Sequence, residues 1–429
     1  MKGNFSIIIL VIFIAAAVLG ILVFSGAIPI GKNNTGSLGK VVLWGTVPNT
    51  MISGAIKDFN DANPTFVVNY VEKSADTFDQ DLLEATASGI GPDMFFLPDN
   101  LIFHYTNKIF TIPYGSYPLA SFKNNFAGAG EVFLTAEGIL AFPMSIDPLM
   151  MYYNRSILDA NGIVYSPASW EEMTKIAPLL TKKDDANKIT KSAIAFGHFS
   201  NVVHAKDILA TLFMQAGNPI VREKNGILNS TLNLSIGSFN LPSILKFYTD
   251  FADPNNAIYS WNKSFPNSID AFSREDLAFY FGFAGELQSL VNRNPNQNFF
   301  VAPMPQIKNS NSRVTGARVT GLAISAFSKN LTTAFAAASS MATGDFASKL
   351  TAAIGVVPAR RDLLATKPQD AFSPIFYSSA LYAKSWLDPS PKDTDAIFSE
   401  MINAVLSNNL TVADAIRDAS AKMSLLLYK

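Results

Sequence analysis

Between Lys40 and Leu97, short apolar runs alternate with amphipathic stretches, and this alternation limits the possible folds more than any other feature of the chain. Val41-Val42-Leu43-Trp44 reads as a short buried strand. Ile52, Ala55, Ile56 and Phe59 then recur at i, i+3, i+4 and i+7, the stripe of an amphipathic helix. Asn63-Pro64 stops that helix, and Phe66 to Val71 gives a second strand. Phe78, Leu82 and Ala85 mark a second helix ended by Gly89, and Met94 to Leu97 gives a third strand. Strands separated by single helices need crossover connections, which predicts a mostly parallel sheet with helices on both faces. Ligands of such sheets sit outside the carboxyl ends of the strands. Trp44-Gly45 and Pro98-Asp99-Asn100 fall just past two of those ends and are expected to line one crevice. Farther on, Ser169-Trp170-Glu171-Glu172 has capping-box spacing, with Trp170, Met173, Ile176, Ala177 and Leu180 following helically. Thr411 starts another helix, and further helices are expected near residues 205–216 and 331–343.

The 429 residues suggest two or three domains, each able to bury a core. An apolar fraction of 48% excludes disorder. The absence of cysteine removes disulfides, thiolate metal sites, thiol nucleophiles and a lipid-bearing N-terminal cysteine. Lys and Arg number 33 against 34 Asp and Glu, without the basic excess of a nucleic-acid binder. No P-loop, dinucleotide fingerprint, nucleophile elbow or zinc-protease motif is present. His104, His198 and His204 have no metal-ligand spacing and are read as surface or packing residues. Nothing marks a catalytic carboxylate pair, so no enzyme, metal or cofactor is expected.

Phe5 to Ala27 is uncharged and as a helix would be about 34 Å long, enough to cross a bilayer. Ser25-Gly26-Ala27 could serve as a signal-peptidase site. The length of the run, with that site at its very end, favours an uncleaved anchor. Residues 1–4 are then a cytoplasmic stub, 5–27 a single-pass membrane segment and 28–39 a flexible tether, with the soluble part on the extracytoplasmic side.

Several phrases resemble one family in order. Lys40 to Trp44 resembles its first strand, and Ile56 to Pro64 its helix end and Asn-Pro turn. Gly91-Pro92-Asp93 resembles the introduction to its third strand, and Phe142 to Asp147 with Tyr152-Tyr153-Asn154 its crossover to a second lobe. Ser169 to Glu172, Asn294 to Pro305, Val356 to Arg360 and Thr411 to Ala415 complete the series over nearly all of residues 40–420. The family is that of the maltose-binding-protein-like, carbohydrate-oriented extracellular solute-binding proteins of bacterial ABC importers. The resemblance implies a two-lobed α/β fold of the periplasmic-binding-protein type (class II), with a hinge and an interlobe cleft. Lobe 1 would hold residues 40–143 and 304–356, and lobe 2 residues 144–303 and 357–429. The chain would act as a monomer, taking a small-molecule solute, a sugar or oligosaccharide, to ABC permease subunits.

Sugar pockets combine aromatic faces with a few carboxylates and amides. The residues expected there are Trp44, Asp99, Asn100, Asp147, Phe283, Glu286, Thr320, Gly321 and Trp386. Each has a plainer reading: a core role for Trp44, a turn or cap for Asp99 and Asn100, a local ion pair for Asp147. Packing or solvent exposure would account for Phe283 and Glu286, and a hydrophobic plug for Trp386. Other functions stay open alongside transport: a tethered protein serving a sensor, a polyamine or phosphate-ester binder, an exported carbohydrate-active enzyme, or a scaffold without ligand.

Overall fold

A computed structural model of the chain describes residues 39–428 apart from 225, 226, 235, 237, 238, 309, 311 and 367. The expected membrane segment 5–27 lies outside the described residues, as do the stub and nearly all of the tether. Among the described residues no helix is long and apolar enough to cross a membrane.

Strand β1 (Gly39–Gly45) leads into helix α1 (Asn49–Ala62), which buries Ile52, Ala55, Ile56 and Phe59, the stripe read from the sequence. Strand β2 (Phe66–Glu72), helix α2 (Phe78–Ala87) and strand β3 (Met94–Pro98) follow. A 14-residue strand, β4 (Ala141–Asn154), then carries the chain into the second lobe. There α3 (Trp170–Leu180), β5 (Ile189–Ile194), α4 (Ala205–Gln215), α5 (Leu241–Asp250), β6 (Leu277–Phe283) and β7 (Phe299–Pro303) succeed one another. Strand β8 (Thr315–Ile324) returns to the first lobe, where α6 (Leu331–Met341) packs on β1 and α7 (Gly344–Ile354) on α1. Helices α8 (Pro391–Leu406) and α9 (Val412–Leu427) pack together and against α5.

The sheet is mixed rather than mostly parallel. β1 pairs in parallel with β2 and β3, as the crossover argument requires. β8, however, runs antiparallel to both β3 and β4, and β4 antiparallel to β6 and β7. The reason is topological: the strand leaving the first lobe and the strand returning to it lie side by side, so they point in opposite directions. Residues 141–148 of β4 pair with β8, and residues 149–154 pair with β6 and β7. One strand thus belongs to both lobes. Val357 and Pro358 pair with Ile146 and Ser145, and the short helix Arg361–Ala365 packs against Leu119–Asn125 and α7.

Each lobe has its own aromatic centre. In the first, Phe59 of α1 meets Phe346 of α7 edge-on at 5.7 Å between centroids. In the second, Trp170 lies 5.6–5.7 Å from Phe247, Phe196 and Phe281. Its indole N–H donates to Gln215 Oε1 at 2.7 Å, and Gln215 in turn donates to the carbonyls of Pro305 and Val314. Trp170 reaches that position because α3 starts on a cap: Ser169 Oγ accepts from the Glu172 N–H, and Glu172 reaches back to the Ala168 N–H at 2.8 Å. Ser169→Ala is expected to lower unfolding free energy by about 1 kcal/mol in urea titrations, with Ser169→Gly costing less. Equal stability of all three proteins would show that the cap contributes nothing.

Candidate ligand-binding cleft

A cavity of about 690 Å³ opens between the lobes. Three features of the fold bring side chains to it. The carboxyl end of β3 places Pro98, Asp99 and Asn100 on one wall. The antiparallel β4–β8 pair forms the floor, where Ser145 sits opposite Thr320 and Asp147 opposite Arg318. Residues two apart on a strand share a face, so these four side chains project together into the cavity. The start of α4 supplies His204, Lys206 and Asp207 from the second lobe, and the segment from Ser385 to Asp395 supplies the wall beyond. Phe199 and Trp386 are its aromatic surfaces.

Asp99 is only 6% exposed and receives hydrogen bonds from Ser385 Oγ and the backbone N–H groups of Asn100 and Val319. Burial pushes its carboxyl up to about 7, against the pull of those donors. Asp147 is half-buried and accepts from the Gly285 N–H at 2.8 Å. Burial raises it to about 7 as well, opposed by the Gly285 bond, Arg318 and His204. His204 adopts a left-handed backbone at φ 63° and donates to Glu286 Oε1 at 2.5 Å. Burial lowers its affinity for a proton, but hydrogen bonds to Asp207 and Glu286 outweigh that and raise it. Arg318 stacks its guanidinium 3.9 Å from the Phe283 ring centroid and donates to Asp207 Oδ2 at 3.2 Å. Lys206 is clasped by Asp388 Oδ2 at 2.9 Å, Asp395 Oδ1 at 2.7 Å and Thr394 Oγ1 at 3.0 Å. Among the described residues no group of three or more His, Asp or Glu is arranged to hold a metal ion.

The expected site residues divide. Asp99, Asn100, Asp147, Thr320 and Trp386 line the cavity together. Trp44, Phe283, Glu286 and Gly321 do not. Trp44 is buried in the first lobe with the Lys73 ammonium 3.9 Å from its ring centroid, so the face a sugar would use is taken. Gly321 faces away from the cleft, the opposite side from Thr320, and a Cβ there would come within 2.7 Å of Ala141 and 2.8 Å of Phe133. Phe283 and Glu286 lie one layer back: Phe283 supports His204 and Arg318 from beneath, and Glu286 anchors His204.

This geometry can be set beside known proteins. Residues 54–372 match the family model described as bacterial extracellular solute-binding protein. The chain belongs to that family. A search of curated proteins returns no match. Among solved structures, the sugar-binding protein MalE from Xanthomonas citri shares the fold at a TM-score of 0.73 and 17% identity, over 91% of this chain and 97% of that one. A cyclo/maltodextrin-binding protein complexed with maltotetraose aligns at 0.72 and 18%, over 90% and 96%. The GacH receptor of Streptomyces glaucescens, solved unliganded and with acarbose, aligns at 0.66 and 18%, over 91% and 99%.

The cleft of this solute-binding family member is also lined by residues that the sequence analysis passed over. His204, read from the sequence as a surface or packing residue, lines the cleft, because it sits at the start of α4 and that end of the helix borders the cavity. Arg318 was legible in principle: strand alternation that selects Thr320 also selects Arg318, two residues before it. Lys206, Asp207 and Ser385 carried no local signal, since only the packing of distant elements brings them together.

Proposed function

We propose that this extracellular solute-binding protein captures a sugar or oligosaccharide between its lobes and delivers it to an ABC importer. The observation that carries the reading is the cleft itself: paired floor strands presenting polar side chains, with Phe199 and Trp386 as apolar faces, suit a solute with hydroxyls at its edges and C–H groups on its faces. Similarity in fold to proteins solved with maltotetraose and acarbose supports it. Asp99, Asn100, Asp147, Thr320 and Trp386 are the contacts in this reading, with Arg318 and His204 added. Solute contacts to both walls stabilise the closed state, which the permease reads. The division into lobe 1 (residues 40–143 and 304–356) and lobe 2 (144–303 and 357–429) belongs to the same proposal. So do a membrane anchor at residues 5–27, an extracytoplasmic position, action as a monomer, and the absence of catalysis.

Thermal unfolding against a panel of mono- and oligosaccharides tests this. A ligand at 100-fold over its dissociation constant adds about 2.7 kcal/mol. In a chain of this size that corresponds to a rise in Tm of a few degrees. A reproducible rise with one saccharide class supports the reading, and a flat panel with a folded sample overturns it.

A further inference from the structure

Most charged groups on the cleft wall have an ionic partner. Lys206 is held by Asp388 and Asp395, Arg318 lies against Asp207, and His204 against Glu286. Asp99 and Asp147 differ: among the described residues neither has a cation within ion-pair distance. Asp147 faces Arg318 across the strand pair and feels both it and His204. Asp99 has no such help. Its hydrogen bonds come from Ser385 Oγ and the N–H groups of Asn100 and Val319, all neutral, and the charged group that bears on it is the like-charged Asp207.

A carboxylate has about four acceptor positions, so three donors leave room for one more. When the lobes close over a neutral solute, the remaining water leaves Asp99, and its ionised form has no counter-charge, so the carboxyl stays protonated and its charge is unused in binding. An ammonium group supplies the counter-charge through a short, charge-assisted hydrogen bond. Resting on the saccharide reading above, we propose that the solute is an amino-bearing saccharide whose protonated amine is seated on Asp99, with Asp147 accepting from its hydroxyls. Raised proton affinity at Asp99 in the unliganded protein is the counterpart of this arrangement: a proton holds the place that the amine takes.

The experiment is calorimetric titration of the full chain at pH 6.5. The probes are glucosamine, galactosamine and mannosamine with the β-1,4-linked di- and trimers of glucosamine, their N-acetylated counterparts, and the parent neutral sugars. At least one free amine is expected to bind tenfold or more tightly than its N-acetylated and neutral counterparts. Repeating the titration in buffers of different ionisation enthalpy should show proton release on amine binding, because the amine displaces the proton on Asp99. Asp99→Asn should abolish both preference and release, whereas Asp147→Asn should weaken amino and neutral sugars alike. Neutral or acetylated sugars binding within twofold of the free amine, or more tightly, overturn the amine assignment while leaving the saccharide reading standing. If no saccharide of any set binds a chain that circular dichroism shows to be folded, the saccharide reading fails and this inference falls with it. The comparison within the unmodified protein needs no variant to fold.

Discussion

Lys206→Met is expected to lower the unfolding free energy by about 3–5 kcal/mol, the range seen when one partner of a buried ion pair is removed. The Lys206 side chain is 13% exposed and that of Asp388 only 6%. Without the ammonium, Asp388 keeps bonds from the Ser390 N–H and the Thr394 hydroxyl but has no cation. Burial already raises the proton affinity of Asp388, with Lys206 the main opposing influence, so in the variant the carboxyl takes up a proton more readily. The deficit should therefore be largest at pH 8 and smaller near pH 5, and adding Asp388→Asn should recover part of it. Urea titrations of the single and double variants measure this. Lys422, exposed and paired with Glu400 and Asp418 on the surface, is the control. Its replacement by Met should cost no more than about 1 kcal/mol. A Lys206→Met protein as stable as the control would remove the ion cluster from any account of how α4 is tied to α8.

Asp99→Asn should change how stability depends on pH. The folded protein holds the Asp99 proton up to about 7, while the unfolded chain releases it near 3.8. Between those values the native state binds more protons, so the stability contributed by this group is present below pH 4 and is lost as pH rises through 7. A shift of that size is worth up to about 4 kcal/mol. The amide cannot ionise and keeps the shape of the acid, and the Ser385 hydroxyl can turn to suit it. The variant should therefore gain on the unmodified protein between pH 4.5 and pH 8, most of the gain falling between pH 5 and 7. Denaturation at three pH values decides the point. A constant offset between the two proteins across that range would contradict the burial of an ionisable Asp99. Asp147, raised by the same cause, contributes a similar slope that the variant retains.

Local pattern sufficed wherever one element decides its own fate. The stripe Ile52, Ala55, Ile56 and Phe59 is buried as its spacing demands, and Ser169 and Thr411 cap the helices they precede. That Asp99 and Asn100 border the cavity was legible because the carboxyl end of a strand is a position that sequence defines. What failed depended on partners far away in the chain. Strand direction beyond β3 was misjudged because it follows from how the returning strand docks, and no run of apolar residues encodes that. Trp44 satisfied the same strand-end rule as Asp99, but Lys73 from another strand end covers its ring. His204 had no motif to draw notice, since its role comes from Glu286, 82 residues later. Residues two apart on β8 illustrate the middle ground: Thr320 was chosen and Arg318 overlooked, although the pleat links them.

The strand shared by the two lobes has a consequence for how the protein can be divided. Because β4 supplies hydrogen-bonding partners to β8 at one end and to β6 and β7 at the other, it works as a common beam under two roofs. Cutting the chain near residue 148 would leave each half with an open sheet edge and an uncovered apolar face. Neither lobe is then an independent building block. Opening and closing of the proposed kind would be taken up as twist distributed along a few paired residues, with both interiors preserved.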